Sequence, residues 1–186
     1  MRWRNRRKVF LAHGRWYEAV DAMKVFLGSL DVEVVDWDAA RLRARREGQH
    51  ATDILDAGFR MSYATVVFFS PDDVAALHPA LAEVPERLSG QPRPNVLFEA
   101  GYAWALNRRR TLFVDFGTLR WPSDLAGVDH VLFDGSAKSR RQFVDRLKNV
   151  GVPADISGAA WLSAGRFPRP LPEVGAAHLR TRRNRP

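Results

Sequence analysis

Five short runs of this chain are apolar without strict alternation: KVFLAH (8–13), VEVVDW (32–37), ATVVFFS (64–70), TLFVDF (111–116) and DHVLFD (129–134). A strand with one solvated face alternates apolar and polar residues, so continuous apolar runs belong to strands covered on both faces. Between the runs the period becomes helical. After Gly14 and Arg15, the residues Ala19, Val20, Met23, Phe26, Leu27 and Leu30 recur at the spacing of one helix face. A weaker helix is expected around Thr52 to Arg60, and another starts near Pro94 and Asn95, which suit a helix N-terminus. A last helix turns Phe143, Val144 and Leu147 inward and runs to about Val150. Strands alternating with helices predict an α/β fold with a five-stranded parallel sheet and helices on both faces. The flavodoxin-like order 2-1-3-4-5 of these runs is expected.

That order selects a site. Strands one and three become neighbours where the strand order reverses, and ligands bind beyond the carboxyl ends of strands at such a point. Strand one ends at His13, Gly14 and Arg15, and strand three at Ser70, Asp72 and Asp73. Strand two brings Trp37 if its loop folds inward. The helix after strand three begins above the same edge and carries Glu99 in its first turn or two. Its segment, VLFEAGYAWAL (96–106), has no polar face, so it reads as buried nearly all round with one carboxylate inside. Glutamate is rarely buried unless something pairs with it or uses it.

Two uses of Glu99 compete. A carboxylate in a cleft is a catalytic candidate, and an early helical turn favours its ionised form through the helix dipole. The alternative is a buried ion pair with an arginine of the RRR run (108–110). Trp37 can stack on a planar heterocycle or cap the sheet edge. His13 is a candidate general base, although a histidine at a strand end commonly makes only local hydrogen bonds. Asp72 and Asp73 suit turn formation and lack the partners a magnesium site needs, so no metal is expected. The segment DAARLRARREGQ (38–49) reads as a charged, solvated loop, and the proline-rich HPALAEVPERLSGQPRP (78–94) as a long connection of the kind that is often functional. Trp161, in the irregular SGAAWLSAGRF, is expected to pack back onto the body.

Absences narrow the chemistry. There is no G-x-G-x-x-G after strand one and no P-loop, which argues against hydride transfer and nucleoside triphosphate hydrolysis. G-x-S-x-G and H-E-x-x-H are missing as well. No cysteine is present, so disulfides, thiolate zinc sites and cysteine nucleophiles are excluded. At 186 residues and 46% hydrophobic content the chain suits one domain. No apolar run is long enough to span a bilayer, and MRWRNRRK lacks the apolar stretch of a secretory signal. A cytoplasmic protein is expected, with no membrane partner.

The net charge of +8 resides in the ends of the chain. Residues 2–8 hold five cations and residues 180–186 four, which leaves the body between them close to neutral. Basic tails of this kind bind polyanions weakly and without sequence preference, so nucleic-acid association stays a minor reading. The domain reading is a basic N-terminal tail (1–7), a body (8–167) and a basic C-terminal tail (168–186).

With these residues placed, the sequence resembles the prokaryotic TIR-like nucleotide-binding family. Its members include the TIR domains of cyclic-nucleotide-triggered antiphage effectors and their stand-alone relatives. KVFLAHGR, VVDWD and ATVVFFSPDD carry the resemblance through the first three strands, and RPNVLFEAGYAWAL, WPSDLAGVDHVLFD and SGAAWLSAGRF continue it over roughly residues 8–167. The most specific piece is RPNVLFEAGYA following SPDD. The resemblance implies the flavodoxin-like TIR fold and makes Glu99 the catalytic residue of NAD+ hydrolysis. The bond between nicotinamide and ribose is cleaved, giving nicotinamide and ADP-ribose or a cyclised form. NAD+ is then a substrate, with no further cofactor. Beside Glu99, the residues His13, Gly14, Arg15, Trp37 and Asp72 are the expected substrate contacts.

The resemblance also implies activity in a homo-oligomer or filament, where one subunit's loop completes its neighbour's pocket. DAARLRARREGQ holds the position of that loop. Many effectors of this kind carry a second, cyclic-nucleotide-sensing domain, for which this chain is too short, so the expected trigger is another protein or an unrecognised ligand. Two other functions fit. A nucleoside 2-deoxyribosyltransferase-like enzyme shares the fold class and an E-x-G-Y-A helix, with the glutamate as a nucleophile. A non-catalytic nucleotide-binding TIR module would act by assembly alone.

Overall fold

The computed structural model describes residues 6–44, 50–84, 86–121, 125 and 127–171. Five parallel strands form the main sheet: β1 (Lys8–His13), β2 (Glu33–Val35), β3 (Ala64–Phe69), β6 (Thr111–Asp115) and β7 (His130–Leu132). Their order is β2-β1-β3-β6-β7, which is the flavodoxin-like order expected for the five apolar runs. β1 lies at the centre of the reversal, with Val9 opposite both Val34 and Ala64.

Continuous apolar character follows from burial on both faces. Val9 and Leu11 of β1, with Val66 and Phe68 of β3, enter one core with α1 (Tyr17–Ser29) and α5 (Ala137–Asn149). Phe10 and Ala12, with Val67 and Phe69, enter a second core with α2 (Trp37–Ala44), α3 (Ala51–Met61) and α4 (Pro94–Asn107). Gly58 lets α3 approach β1, since a Cβ there would stand 2.5 Å from the Phe10 ring.

Four expectations need correction. The charged segment 38–49 is not all loop. Residues up to Ala44 form α2, because Asp36 caps the helix by accepting the Ala39 N–H at 3.0 Å and because Ala40 and Ala44, one turn apart, are fully buried. Residues 45–49 of that segment lie outside the described residues. The proline-rich connection carries a strand, β5 (Ser89–Gln91), which pairs antiparallel with β4 (Asp73–Ala75) just before the connection. Third, α4 is not buried all round. Val96, Ala100 and Ala103 face the core, whereas Phe98 and Leu106 are each 56% exposed. Fourth, Arg6 and Arg7 belong to the body rather than to a solvated tail. Arg6 donates to the Gly151 carbonyl, and Arg7 pairs with Asp31. Of the two basic tails, residues 1–5 and 172–186 lie outside the described residues.

Trp161 packs back as expected. It is buried in the first core, in a short 3-10 turn. The clasp is Arg140, which is 3% exposed. Its guanidinium donates to the carbonyls of Gly135, Trp161, Ala164 and Gly165, and it lies over the Phe26 ring at 4.8 Å. Burial lowers its pKa, and backbone carbonyls rather than a carboxylate satisfy its donors.

Candidate active site at the strand reversal

A cavity of about 380 Å³ opens over the carboxyl end of β1. Its walls come from β1, the β1–α1 connection, α1, the end of β2, the start of α2 and the start of α4. His13, Gly14, Arg15, Trp37 and Glu99 all line it, so five of the expected site residues converge. Asp72 does not line it.

Glu99 lies in the second turn of α4, between the buried Val96 and Ala100. Among the described residues it has no hydrogen-bond or ion-pair partner, and burial alone pushes its carboxyl up from the ordinary 4.5 to about 7. Two expectations fall together. The arginine run 108–110 does not reach it; Arg110 instead lies over the Tyr63 ring at 4.1 Å. Glu99 also stands beyond the terminal turn, where the helix dipole acts most strongly. Desolvation is what raises its carboxyl.

His13 holds its Nδ1 2.8 Å from the carbonyl oxygen of Gly14. An oxygen acceptor there assigns the proton to Nδ1 and leaves Nε2 as an acceptor. Burial lowers the pKa of the ring, so His13 is neutral at pH 7.

Asp72 acts on the site from outside. Its Oδ1 accepts the backbone N–H groups of Arg15 at 2.6 Å and Trp16 at 2.8 Å, and its Oδ2 accepts the Ser70 hydroxyl at 2.8 Å. This carboxylate therefore fixes the β1–α1 connection and the edge of the cavity. Gly14 is required at the same place, since a Cβ would stand 1.9 Å from Asp72 Oδ2.

Lys24, Asp36 and Arg93 also line the cavity, and the sequence did not single them out. Asp36 follows β2 directly. The Ala39 N–H holds its carboxyl below the usual range, with Lys24 Nζ at 3.5 Å from Oδ2 adding to the effect. The available signal was the capping position of Asp36 before a helix. Among the described residues no cluster of three or more His, Cys, Asp or Glu side chains is arranged to hold a metal ion.

Residues 8–135 match the family described as CAP12/Pycsar effector protein, TIR domain. The chain belongs to this family. The chain is also 31% identical over 154 residues to YuaY of Escherichia coli (strain K12), a protein described as uncharacterized. The aligned part covers 80% of this chain and 47% of that protein, so the chain spans about half the length of the curated relative it matches. The family match includes every wall of the cavity: both ends of the TIR-domain lining, from Phe10 to Glu99, fall inside it.

The charges of the TIR-domain cavity divide by element. Asp36 and Asp38 stand on the β2 side, while Glu99 comes from α4, which packs against β1, β3 and β6. Asp21 and Lys24 come from α1, Arg15 from the β1–α1 connection and Arg93 from the residue before α4. Among the described residues no helix is long and apolar enough to cross a membrane.

Proposed function

We propose that this TIR domain hydrolyses NAD+ at the nicotinamide–ribose bond. The observation that carries the reading is Glu99, a half-buried carboxylate in the wall of the cavity with no partner among the described residues. A group kept buried and unpaired costs the fold energy, and such groups cluster where chemistry uses them.

The chemistry suits one carboxylate. Cleavage sends the bonding electron pair onto the pyridinium nitrogen, so nicotinamide leaves as a neutral base and needs no acid. Positive charge develops on the ribose as in glycoside hydrolysis. Ionised Glu99 stabilises that charge and orients the sugar hydroxyls. Water then adds at the anomeric carbon and loses one proton, giving ADP-ribose, or a ribose hydroxyl adds and gives a cyclised product. A carboxyl titrating near 7 is suited to take that proton. Trp37 offers a ring to stack on. His13, Gly14 and Arg15 border the phosphate-bearing part of the substrate, and Asp72 holds their connection in place.

The family description as effectors supports a wider reading: an antiphage effector in the cytoplasm, active as a homo-oligomer or filament after an activating protein or ligand engages it. The test is direct. Concentrated protein is incubated with NAD+, with and without a crowding agent, and followed by proton NMR. Nicotinamide and ADP-ribose (or its cyclised form) growing at equal rates support hydrolysis. NAD+ that binds but stays intact under every condition selects the non-catalytic module instead.

A further inference from the structure

The β2 side of the cavity carries a second, separate piece of recognition chemistry. Asp36 is the residue after β2, and Trp37 is the first residue of α2. Both line the cavity that Glu99 of α4 also lines. Asp36 has already committed Oδ1 to the Ala39 N–H. Its Oδ2 faces Lys24 Nζ at 3.5 Å, at the outer limit of a hydrogen bond, and the carboxylate side chain remains 39% exposed. Besides its long contact with Lys24, Oδ2 keeps capacity to accept from a ligand, on a residue that the helix cap holds in place. An ionised carboxylate accepts hydrogen bonds and donates none. The α2 N-terminal amide that it caps keeps it ionised throughout the neutral range.

We propose that Asp36 accepts the 2′-hydroxyl of the adenosine ribose, and that this TIR domain therefore selects NAD+ over its 2′-phosphorylated form. The proposal rests on the NAD+ reading and assigns the direction in which the dinucleotide lies. Adenine stacks on Trp37, the adenosine ribose meets Asp36, and the nicotinamide ribose reaches Glu99. In the glycine-rich dinucleotide-binding form of the doubly wound fold an acidic residue downstream of the first βα turn hydrogen-bonds a ribose 2′-hydroxyl, and Asp36, directly after β2, offers the same group in this sheet. A 2′-phosphate would place an acceptor against an acceptor with no proton between them. Discrimination then comes from an unpaired, repelled group as well as from the lost hydrogen bond. Lys24 sharpens the test. Tied to Asp36 it cannot serve a phosphate freely; with the Asp36 charge removed it is released to pair with one.

Binding of NAD+ and NADP+ is measured calorimetrically on the full chain carrying Glu99→Gln, which leaves the dinucleotides uncut, and again with Asp36→Asn added. Asparagine keeps a side-chain oxygen for the Ala39 N–H, and a thermal melt verifies that α2 and the fold persist. The first protein binds NAD+ about tenfold or more tightly than NADP+. Asp36→Asn weakens NAD+, strengthens NADP+ and brings the ratio to about one or below; further addition of Lys24→Met weakens NADP+ again. Equal affinities in the first protein, or a ratio that Asp36→Asn leaves unchanged, overturn the proposal while NAD+ binding itself still stands. Failure of both dinucleotides to bind at millimolar concentration overturns the proposal together with the NAD+ reading.

Discussion

Glu99→Gln separates a functional carboxylate from a structural one through its effect on stability. Burial raises the Glu99 carboxyl from 4.5 to about 7. At about 1.4 kcal/mol per pKa unit, ionised Glu99 costs the folded state about 3 kcal/mol. The pH window follows from the two values. Below about 4.5 the group is protonated in both folded and unfolded chains, and no penalty exists. Between 4.5 and 7 the unfolded chain ionises first, so stability falls as pH rises. Above about 7 the whole penalty is present. Glutamine resembles the protonated acid and carries no such pH dependence. The variant is therefore more stable than wild type at pH 8.5 by about 3 kcal/mol, or roughly 6–12 °C in melting temperature for a domain of this size. Near pH 5 the two converge. Thermal melts of both proteins at the two pH values read the difference, from which other titrating groups cancel. A gap of the same size at both pH values, or a glutamine variant that melts lower at pH 8.5, refutes the reasoning. Glu99 would then be an ordinary paired side chain.

Two further outcomes follow from the frame around the cavity. Asp72→Ala removes the acceptor of two backbone N–H groups and lowers stability in urea titration by about 2–3 kcal/mol. Gly14→Ala costs a similar amount alone and much less when added to Asp72→Ala, because its clash is with that carboxylate. Arg140→Leu strands four backbone carbonyls. It destabilises by about 3–5 kcal/mol, and limited proteolysis then cuts within 157–167 before the sheet is lost.

The strands and their order were legible because a parallel sheet covered on both faces leaves continuous apolar runs, as in ATVVFF of β3. The place of the cavity followed from the order, and Glu99, the one carboxylate in an apolar segment, lines it. Other features were hidden for physical reasons. Helix α2 buries only Ala40 and Ala44, and two alanines among arginines give almost no apolar signal. The three-residue strands SGQ and DVA of the β4–β5 pair have no pattern to read. Asp72 looked like a turn residue facing a ligand, yet its partners are amides 56 and 57 residues earlier, a contact that local sequence does not encode. The outward Phe98 and Leu106 were read as buried because periodicity cannot find a missing polar face. Desolvation of Glu99 depends on how deeply α4 sits in the second core.

The measurement that bears most directly on the central claim is the rate of nicotinamide release from NAD+ by wild-type protein and by Glu99→Gln. Both are held at the same high concentration, pH 7, after melts have verified that both are folded. The account predicts steady release by the wild type and a loss of at least about a hundredfold in the variant. Equal release by both proteins would contradict it, because the reaction would then run without the Glu99 carboxylate.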